Sequence, residues 1–237
     1  MENVLNANLP EGYDPSKYER PSVTVDVVIF SLVADDLKVL LIKRQVRPYD
    51  GMWAIPGSFV GIHESLEAAA DRALAEETGV HDVYSEQLFT FGDPKRDPRT
   101  RVITVAYFAL VPFESVNQIS ERTSETQWFS VFDVPQLAFD HEEILDYAIT
   151  RLRYKLEYTS VGFQLLPDVF TLTELQKAYE IILGENLDKR NFRRKILSAD
   201  VLEETGEKRK EGEGRPAMLY RYRIDAVAEV KTRRLFP

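Results

Sequence analysis

The spacing of apolar residues predicts a mixed α/β fold in the first part of the chain. Residues 23–30 read V-T-V-D-V-V-I-F, a β-branched run typical of a buried strand with Asp26 as its one polar interruption. Ala-Asp-Asp at 34–36 predicts a turn, and K-V-L-L-I-K at 38–43 predicts the second strand of a hairpin. Further strands are predicted at residues 83–91, at 102–111 and from Gln127. We therefore expect a mixed α/β sandwich here.

A helix is predicted between these strands. Ser65 suits the N-cap, Glu67 lies in the first turn, and Gly79 suits the left-handed position after the last turn. Glu76 and Glu77 fall at the C-terminal end, where the helix already carries partial negative charge. A bound cation would offset that cost, although a solvated acidic helix end has the same pattern.

The second part of the chain predicts helices followed by a hairpin. Residues 140–158 have helical spacing and form a connecting helix. Residues 172–183 predict a helix with Thr173 as N-cap, ended by Gly184, and after a polar turn residues 188–199 predict another helix. A strand at 201–205, a turn at 206–214 and a strand at 215–223 complete the pattern. Helix, turn, basic helix and hairpin is the order of a winged helix-turn-helix domain.

These elements divide the chain into two domains. With 237 residues, of which 44% are hydrophobic, the chain is long enough for two cores. We expect a flexible arm at 1–20, an α/β domain at 21–140, a connecting helix at 141–158, a winged helix-turn-helix domain at 159–225 and a tail at 226–237.

Composition excludes several classes of protein. The absence of cysteine rules out disulfides and thiolate metal sites, and suits a cytoplasmic protein. No apolar run approaches about 18 residues and the N-terminus has no signal-peptide pattern, so we expect no membrane association.

Charge is distributed unevenly, and this favours a nucleic-acid partner despite the net charge of −9. Residues 189–223 contain 11 Lys and Arg against 6 Asp and Glu, a local balance of +5 that leaves −14 for the remainder. On the predicted basic helix, Arg193 and Arg194 are placed to enter a DNA major groove, where arginine binds guanine bidentately. The other predicted DNA-binding residues are Arg190, Asn191 and Lys195 on the helix, and Lys208, Lys210 and Arg215 on the wing. A merely solvated basic helix remains the alternative, and RNA binding is disfavoured because no aromatic residues alternate with the arginines.

Residues 55–80 resemble the Nudix box, G-x5-E-x7-R-E-U-x-E-E-x-G-U with U aliphatic. The residues on the pattern are Glu64, Arg72, Leu74, Glu76, Glu77, Gly79 and Val80. Ser58 replaces the second glycine of Pro-Gly-Gly, and Ala73 replaces the glutamate after the arginine. The resemblance implies a nucleoside diphosphate ligand, but alanine can serve neither as metal ligand nor as base. Glu76 and Glu77 would leave only a weakened magnesium site, so we expect no catalytic residue and no required cofactor.

Four arginines are predicted to bind the ligand. In a Nudix domain the segment after the second strand borders the ligand cleft, which makes Arg44 and Arg47 candidates for a diphosphate. Arg96 and Arg99 belong to the loop at 92–99, which a strand pair presents as a basic rim. Surface arginines on soluble loops would have the same pattern.

The two halves together resemble the Nudix-related transcriptional regulators, the NrtR-like family. In the second half the resemblance rests on three segments, F-T-L-T-E-L-Q, N-F-R-R-K-I and G-R-P-A-M-L-Y-R. It therefore spans most of residues 20–225. It implies a homodimer on a palindromic operator in double-stranded DNA, with the Nudix cleft as an effector site. ADP-ribose, a related nucleotide and a sugar derivative all stay open as effectors. The competing class is a magnesium-dependent hydrolase of ADP-ribose-like compounds, and Ala73 is the residue that discriminates between them.

Overall fold

The computed structural model describes residues 14–79, 81, 83–112, 126–158, 161–210 and 215–223. The predicted arm as far as residue 13, Val80 of the box and the predicted tail at 226–237 lie outside the described residues.

The N-terminal domain is a mixed sheet between two helices. Its strands run in the order β3-β2-β1-β6-β5, with β4 paired to β1 and β7 paired to β2. The strands are β1 (Ser22–Val33), β2 (Asp36–Lys43), β3 (Trp53–Ala54), β4 (Gly57–Phe59), β5 (Tyr84–Phe91), β6 (Val102–Leu110) and β7 (Thr126–Ser130). The helices are α1 (Leu66–Thr78) and α2 (His141–Tyr158), and a short 3-10 turn at Pro15–Lys17 precedes β1.

Strand β1 is the centre of this domain because its two faces supply two separate cores. It pairs parallel with β6 from Ser22↔Val102 to Phe30↔Leu110, and antiparallel with β2 beyond Phe30. Val25, Val27 and Ile29 pack with the alanines of α1, whereas Val28 and Phe30 belong to the core that α2 covers. Burying one such side chain stabilises the fold by about 1.5–3 kcal/mol. The predicted α/β/α sandwich is therefore confirmed.

Local signals placed the hairpin and α1 correctly. Ala34 and Asp35 adopt φ of +49° and +64° in the turn between β1 and β2. The Ser65 hydroxyl accepts a hydrogen bond from the Ala68 amide, and Gly79 ends the helix at φ +68°. The substitution of Ser58 for glycine is easily accommodated, since Ser58 lies in β4 in a strand conformation open to any residue.

The C-terminal domain is the predicted winged helix-turn-helix. It contains a 3-10 turn (Val161–Leu165), β8 (Phe170–Thr171), α3 (Leu172–Leu183), α4 (Lys189–Ser198), β9 (Leu202–Arg209) and β10 (Ala217–Tyr222). Its three strands are ordered β8-β10-β9. In the described part of the chain, no helix is both long and apolar enough to cross a membrane.

Two boundaries in this domain differ from the prediction. Thr171, not Thr173, is the N-cap of α3: its hydroxyl accepts from the Glu174 amide while the Glu174 carboxylate accepts from the Thr171 amide. The predicted turn at 206–214 was also wrong at its start, because β9 continues through Gly206 to Arg209. Gly206 adopts φ +81° where the pairing of β9 and β10 shifts register, so the glycine permits an irregularity within a strand.

The two domains share one apolar core. Leu152 and Leu156 of α2 belong to the same cluster of buried side chains as Leu175, Tyr179 and Ile182 of α3. The connecting helix is therefore packed against both domains along its length.

Candidate ligand cavity and nucleic-acid interface

A cavity of about 150 Å³ opens beside β1, β2 and β4 in the N-terminal domain. Three of the four predicted arginines, Arg44, Arg96 and Arg99, line it. The remaining lining residues are Thr24, Asp26, Ile42, Val46, Ile55, Gly57, Ser58, Phe59, Asp97, Val102, Phe139 and His141. The loop at 92–99 and the segment before α2 thus meet over the same strands.

Arg44 and Arg99 lie on the ring of Phe139, which the sequence analysis did not identify. Their guanidinium carbons are 4.7 and 5.7 Å from its centroid, within the range of a cation–π contact. Burial and the nearby charge of Arg99 lower the pKa of Arg44. Arg99 is paired with Asp97 at 2.7 Å, so the two guanidinium groups are partly neutralised, and the positive charge that remains favours an anionic ligand.

Arg96 has a different environment, because its guanidinium is buried in a network of ion pairs. Its Nε and Nη2 lie 2.8 and 2.7 Å from the two carboxylate oxygens of Asp140, and Nη2 lies 3.4 Å from Asp26 Oδ2. Burial alone would lower the pKa of Arg96, but the hydrogen bonds with Asp140 and the charge of Asp26 raise it. Arg96 therefore fixes the floor of the cavity with donors already committed to two acids.

His141 completes this floor and was also missed by the sequence analysis. Its Nδ1 accepts a hydrogen bond of 2.9 Å from the Ile55 amide, and its Nε2 lies 3.8 Å from Asp26 Oδ1. Burial lowers the pKa of His141, so the imidazole is neutral with its proton on Nε2. A Cβ on Gly57 would lie 2.3 Å from Asp26 Oδ1 and 2.6 Å from the Val25 carbonyl oxygen, so a larger residue would collide with the backbone of β1.

Arg47 lies outside the cavity, in contrast to the other three arginines. It lines a surface depression with Tyr49, Pro98 and Arg99. Arg99 lines both this depression and the cavity, and the contact of Arg47 with a ligand stays a prediction.

Two residues of the box, Glu64 just before α1 and Arg72 within it, form an ion pair. The Glu64 carboxylate accepts from Arg72 Nε at 2.8 Å, from Arg72 Nη2 at 2.9 Å and from the Gly61 amide at 2.9 Å. These bonds lower the pKa of Glu64 to about 2. Arg72 also donates a hydrogen bond to the Phe59 carbonyl, so this ion pair connects α1 to strand β4 at the edge of the cavity.

Position 73 offers no ligand to a magnesium ion. Ala73 is 3% exposed and packs with Ala69 and Ala70 against β1 and β6, so that no ligating oxygen is available there. Glu64 is engaged by Arg72, and Glu76 lies 3.5 Å from the same arginine with a side chain 60% exposed. Within the described residues, no group of three or more His, Asp or Glu side chains is placed to hold a metal ion.

Helix α4 buries one side and presents cations on the other. The Asp188 carboxylate caps it by accepting from the Asn191 amide at 2.7 Å, and Phe192 and Ile196 are buried. Arg190 and Arg194 are exposed, and Arg194 donates to the Asn191 side chain at 2.7 Å. Lys195 is half-buried beside them.

Arg193 is held against α3. Its Nη2 donates to the Thr173 hydroxyl at 3.2 Å, and its Nε is buried without a hydrogen-bond partner among the described atoms. Of the arginines predicted to enter a major groove, Arg194 is thus the more exposed, and the roles of both stay predictions.

The cations of the predicted wing lie at the end of the β9–β10 hairpin where the two strands are connected. Lys208 in β9, Lys210 after it and Arg215 before β10 are all exposed. Their neighbour Arg209 forms an ion pair with Glu174, the residue that completes the cap of α3. This pair fixes the wing to the helix-turn-helix unit and was not foreseen from the sequence.

Comparison with known proteins matches both halves of the chain. A NUDIX domain model matches residues 23–148, and a model of the NrtR DNA-binding winged helix domain matches residues 162–222. The chain is 43% identical over 216 residues to the ADPR responsive transcriptional repressor NtrR of Acinetobacter baylyi, covering 90% of this chain and 86% of that protein.

Two solved structures extend this similarity. Shewanella oneidensis NrtR complexed with a 27mer DNA is 40% identical, with a TM-score of 0.79 over 85% of this chain and 93% of that one. The NUDIX domain of the same protein complexed with ADP ribose is 38% identical, with a TM-score of 0.52 over 60% of this chain and 94% of that one.

Proposed function

Since this chain belongs to the NrtR family of Nudix-related transcriptional regulators, we propose that it binds operator DNA through its winged helix-turn-helix domain and senses ADP-ribose in its Nudix domain. We also propose that two copies bind a palindromic operator, because the two-fold symmetry of a dimer matches two half-sites. Such a regulator acts in the compartment that contains the DNA, which is the predicted cytoplasm.

The observation that carries the DNA part of the proposal is the division of α4 into two sides. Phe192 and Ile196 anchor the helix in the core while Arg190 and Arg194 face solvent. A helix held in this way can enter a major groove as a rigid body, with exposed cations that neutralise phosphates or bind guanine. The cations of the hairpin, Lys208, Lys210 and Arg215, extend the same charge along the wing.

The lining of the cavity favours an anionic effector that also carries an aromatic or flat group. Arg44 and Arg99 bring two positive charges to the cavity, the second of them paired with Asp97, and the Phe139 ring that they contact offers an apolar surface. ADP-ribose combines a diphosphate with such groups, and it is the ligand present in the related NUDIX domain structure. It is therefore the first effector to test.

The box supports binding over hydrolysis. Ala73 contributes only a methyl group to the core, and Glu64 is occupied by Arg72. A hydrolase would require the remaining carboxylates Glu76 and Glu77 to hold magnesium, and those two alone supply few of the oxygens of an octahedral site.

The test is fluorescence anisotropy on the DNA upstream of the protein's own gene cluster. It uses excess nonspecific competitor and two salt concentrations. We expect specific binding by the wild type, and a loss of at least about tenfold in the Arg190→Ala/Arg194→Ala variant with a shallower salt dependence. Arg151→Ala is the matched control, because Arg151 is an exposed cation on α2 whose partner is Glu86. Its affinity should equal that of the wild type.

A parallel assay of ADP-ribose with magnesium distinguishes the two classes of function. Specific DNA binding without turnover supports the regulator. Turnover at ordinary enzymatic rates, with no specific binding to that fragment or to DNA selected from random sequence, would establish the hydrolase.

A further inference from the structure

Resting on the proposed function, we propose that α2 couples the cavity to the recognition helix α4, and that Arg153 is the positioning residue at the end of this connection. The coupling is between ligand binding in the Nudix domain and the orientation of the helix-turn-helix unit. It is carried by α2 because both ends of that helix are fixed to the two sites by specific contacts.

The N-terminal end of α2 is part of the cavity. His141, its first residue, lines the cavity and accepts from the Ile55 amide. Immediately before it, Asp140 holds Arg96 and Phe139 carries Arg44 on its ring. Phe139 adopts φ +58°, a left-handed conformation that costs free energy for a residue with a side chain. A ligand that displaces Arg44 or Arg99 from this ring therefore acts on residues continuous with the start of α2.

The body of α2 can transmit a displacement without bending. Twelve residues separate His141 from Arg153, which corresponds to about 18 Å at the rise of an α-helix. Along this length Ile144, Leu145, Ala148 and Leu152 are all buried in the core. A closely packed helix responds to a load at one end by moving as a unit, because packed interiors compress little.

The far end of α2 holds the last turn of α3. Arg153 Nε donates a 2.9 Å hydrogen bond to the carbonyl of Ile182. That carbonyl is one of those at a helix C-terminus that have no partner within the helix, so a cation there is favourable. Ile182 precedes Gly184, where the chain leaves α3 and turns towards α4.

A second contact near this end is too tight to absorb movement. Gly162 lies between Leu156 of α2 and Tyr179 of α3, where an added Cβ would be 2.6 Å from the leucine Cδ2 and 3.1 Å from the tyrosine ring. Motion of α2 therefore also reaches Tyr179 of α3 through the 3-10 turn that contains Gly162, in addition to the hydrogen bond. The turn from Gly184 to Leu187 is the next element that can move, and α4 follows it.

A surface ion pair between the domains is weaker and provides a matched control. Asp35, at the tip of the β1–β2 hairpin, pairs with Lys177 of α3 at 2.5 Å. Their side chains are 64% and 52% exposed, and such surface pairs contribute little free energy. Removing Lys177 thus breaks a contact between the domains without touching α2.

The experiment measures the ratio of DNA dissociation constants with and without saturating ADP-ribose in the full chain. In Arg153→Ala we expect DNA affinity without ligand, and ADP-ribose affinity without DNA, to stay within about threefold of wild type, while the ratio falls about fivefold or more towards one. Lys177→Ala should keep the wild-type ratio. An unchanged ratio in Arg153→Ala, or an equal loss in Lys177→Ala, would overturn the proposal.

Amide hydrogen exchange on the wild type provides a test that does not depend on the folding of a variant. We expect ADP-ribose to change exchange in residues 184–187 as well as around the cavity, and no change at 184–187 would contradict the proposal. If the wild type binds both DNA and ADP-ribose but neither affects the other, the two binding sites stand and the coupling fails. If the wild type binds no DNA specifically, the proposed function fails and this inference fails with it.

Discussion

Glu64 and Arg72 form a two-pronged ion pair, with Arg72 Nε 2.8 Å from Oε1 and Nη2 2.9 Å from Oε2. The pair joins the residue before the N-cap of α1 to the middle of that helix, and the bond from Arg72 to the Phe59 carbonyl continues it to β4. The Nudix helix is thus attached to the edge of the cavity by a charged pair.

This ion pair predicts an unusually acidic carboxyl group. The pKa of Glu64 is lowered to about 2 by the bonds from Arg72 and Gly61. A depressed acid pKa stabilises the folded state fully above the ordinary value of 4.5, and that contribution is lost progressively as pH falls from there through about 2. NMR titration of the side-chain carboxyl should show Glu64 still ionised at a pH of about 3. A midpoint near 4.5 would show that the pair is absent in solution.

Restoring a glutamate at position 73 should destabilise the protein. Ala73 is 3% exposed in the core beneath α1, so a longer polar side chain must displace neighbours or lose its hydration. We expect Ala73→Glu to lower the free energy of unfolding by about 1–3 kcal/mol in urea titration. Ala68→Glu, an exposed position in the first turn of the same helix, is the control and should change stability little. Equal effects would mean that position 73 is open to solvent.

Because His141 is buried and neutral, we expect the folded protein to lose stability in weak acid. Burial lowers its pKa from the ordinary value of 6.5, so below that pH the unfolded chain binds a proton that the folded chain excludes. The free energy of unfolding should therefore fall as pH drops from 7 to about 5.5, by at most about 1.4 kcal/mol per pH unit. His141→Asn offers an acceptor to the Ile55 amide but no titration, and should remove this part of the pH dependence. The idea fails if the two proteins show parallel curves.

The turn between α3 and α4 depends on one carboxylate. Glu180 Oε1 accepts from the Leu187 amide and from Gln176 Nε2, both at 2.9 Å, and so closes the turn that leads to α4. Glu180→Ala should cost about 1–3 kcal/mol in thermal or urea unfolding, because a half-buried amide and the glutamine lose a charged acceptor. Glu185→Ala, exposed in the same turn, should be nearly neutral. A neutral result for both variants would show that the turn is held by its backbone alone.

The elements of the fold that could be predicted from sequence are those with local causes. As expected, α1 begins after Ser65 and ends at Gly79, and α3 ends at Gly184. Such boundaries are predictable because capping and left-handed conformations depend on one or two residues. Thr171 and Thr173 were confused because both can cap a helix, and only the reciprocal bond with Glu174 decides between them. Gly206 was read as a turn, since sequence does not distinguish a glycine in a turn from one at an irregularity within a strand.

The site was predictable only in outline. Arg44, Arg96 and Arg99 were chosen because they are cations on loops next to strands, and all three line the cavity. That Arg96 is buried follows from Asp140 and Asp26, which are 44 and 70 residues distant, and no local pattern encodes such a pairing. Phe139 and His141 were missed for the same reason, because an aromatic residue before a helix gives no sign of the cavity that it faces.

The central claim is that binding of ADP-ribose changes the affinity of the protein for DNA, and that binding of DNA changes its affinity for ADP-ribose. Calorimetry of ADP-ribose binding, with the protein free and saturated with the upstream DNA fragment, tests it most directly. Thermodynamic linkage requires the ADP-ribose dissociation constant to change by the same factor as the DNA dissociation constant changes with ADP-ribose, commonly about 5–150-fold. Equal factors above one are the predicted result, and an ADP-ribose affinity unaffected by DNA would contradict the account.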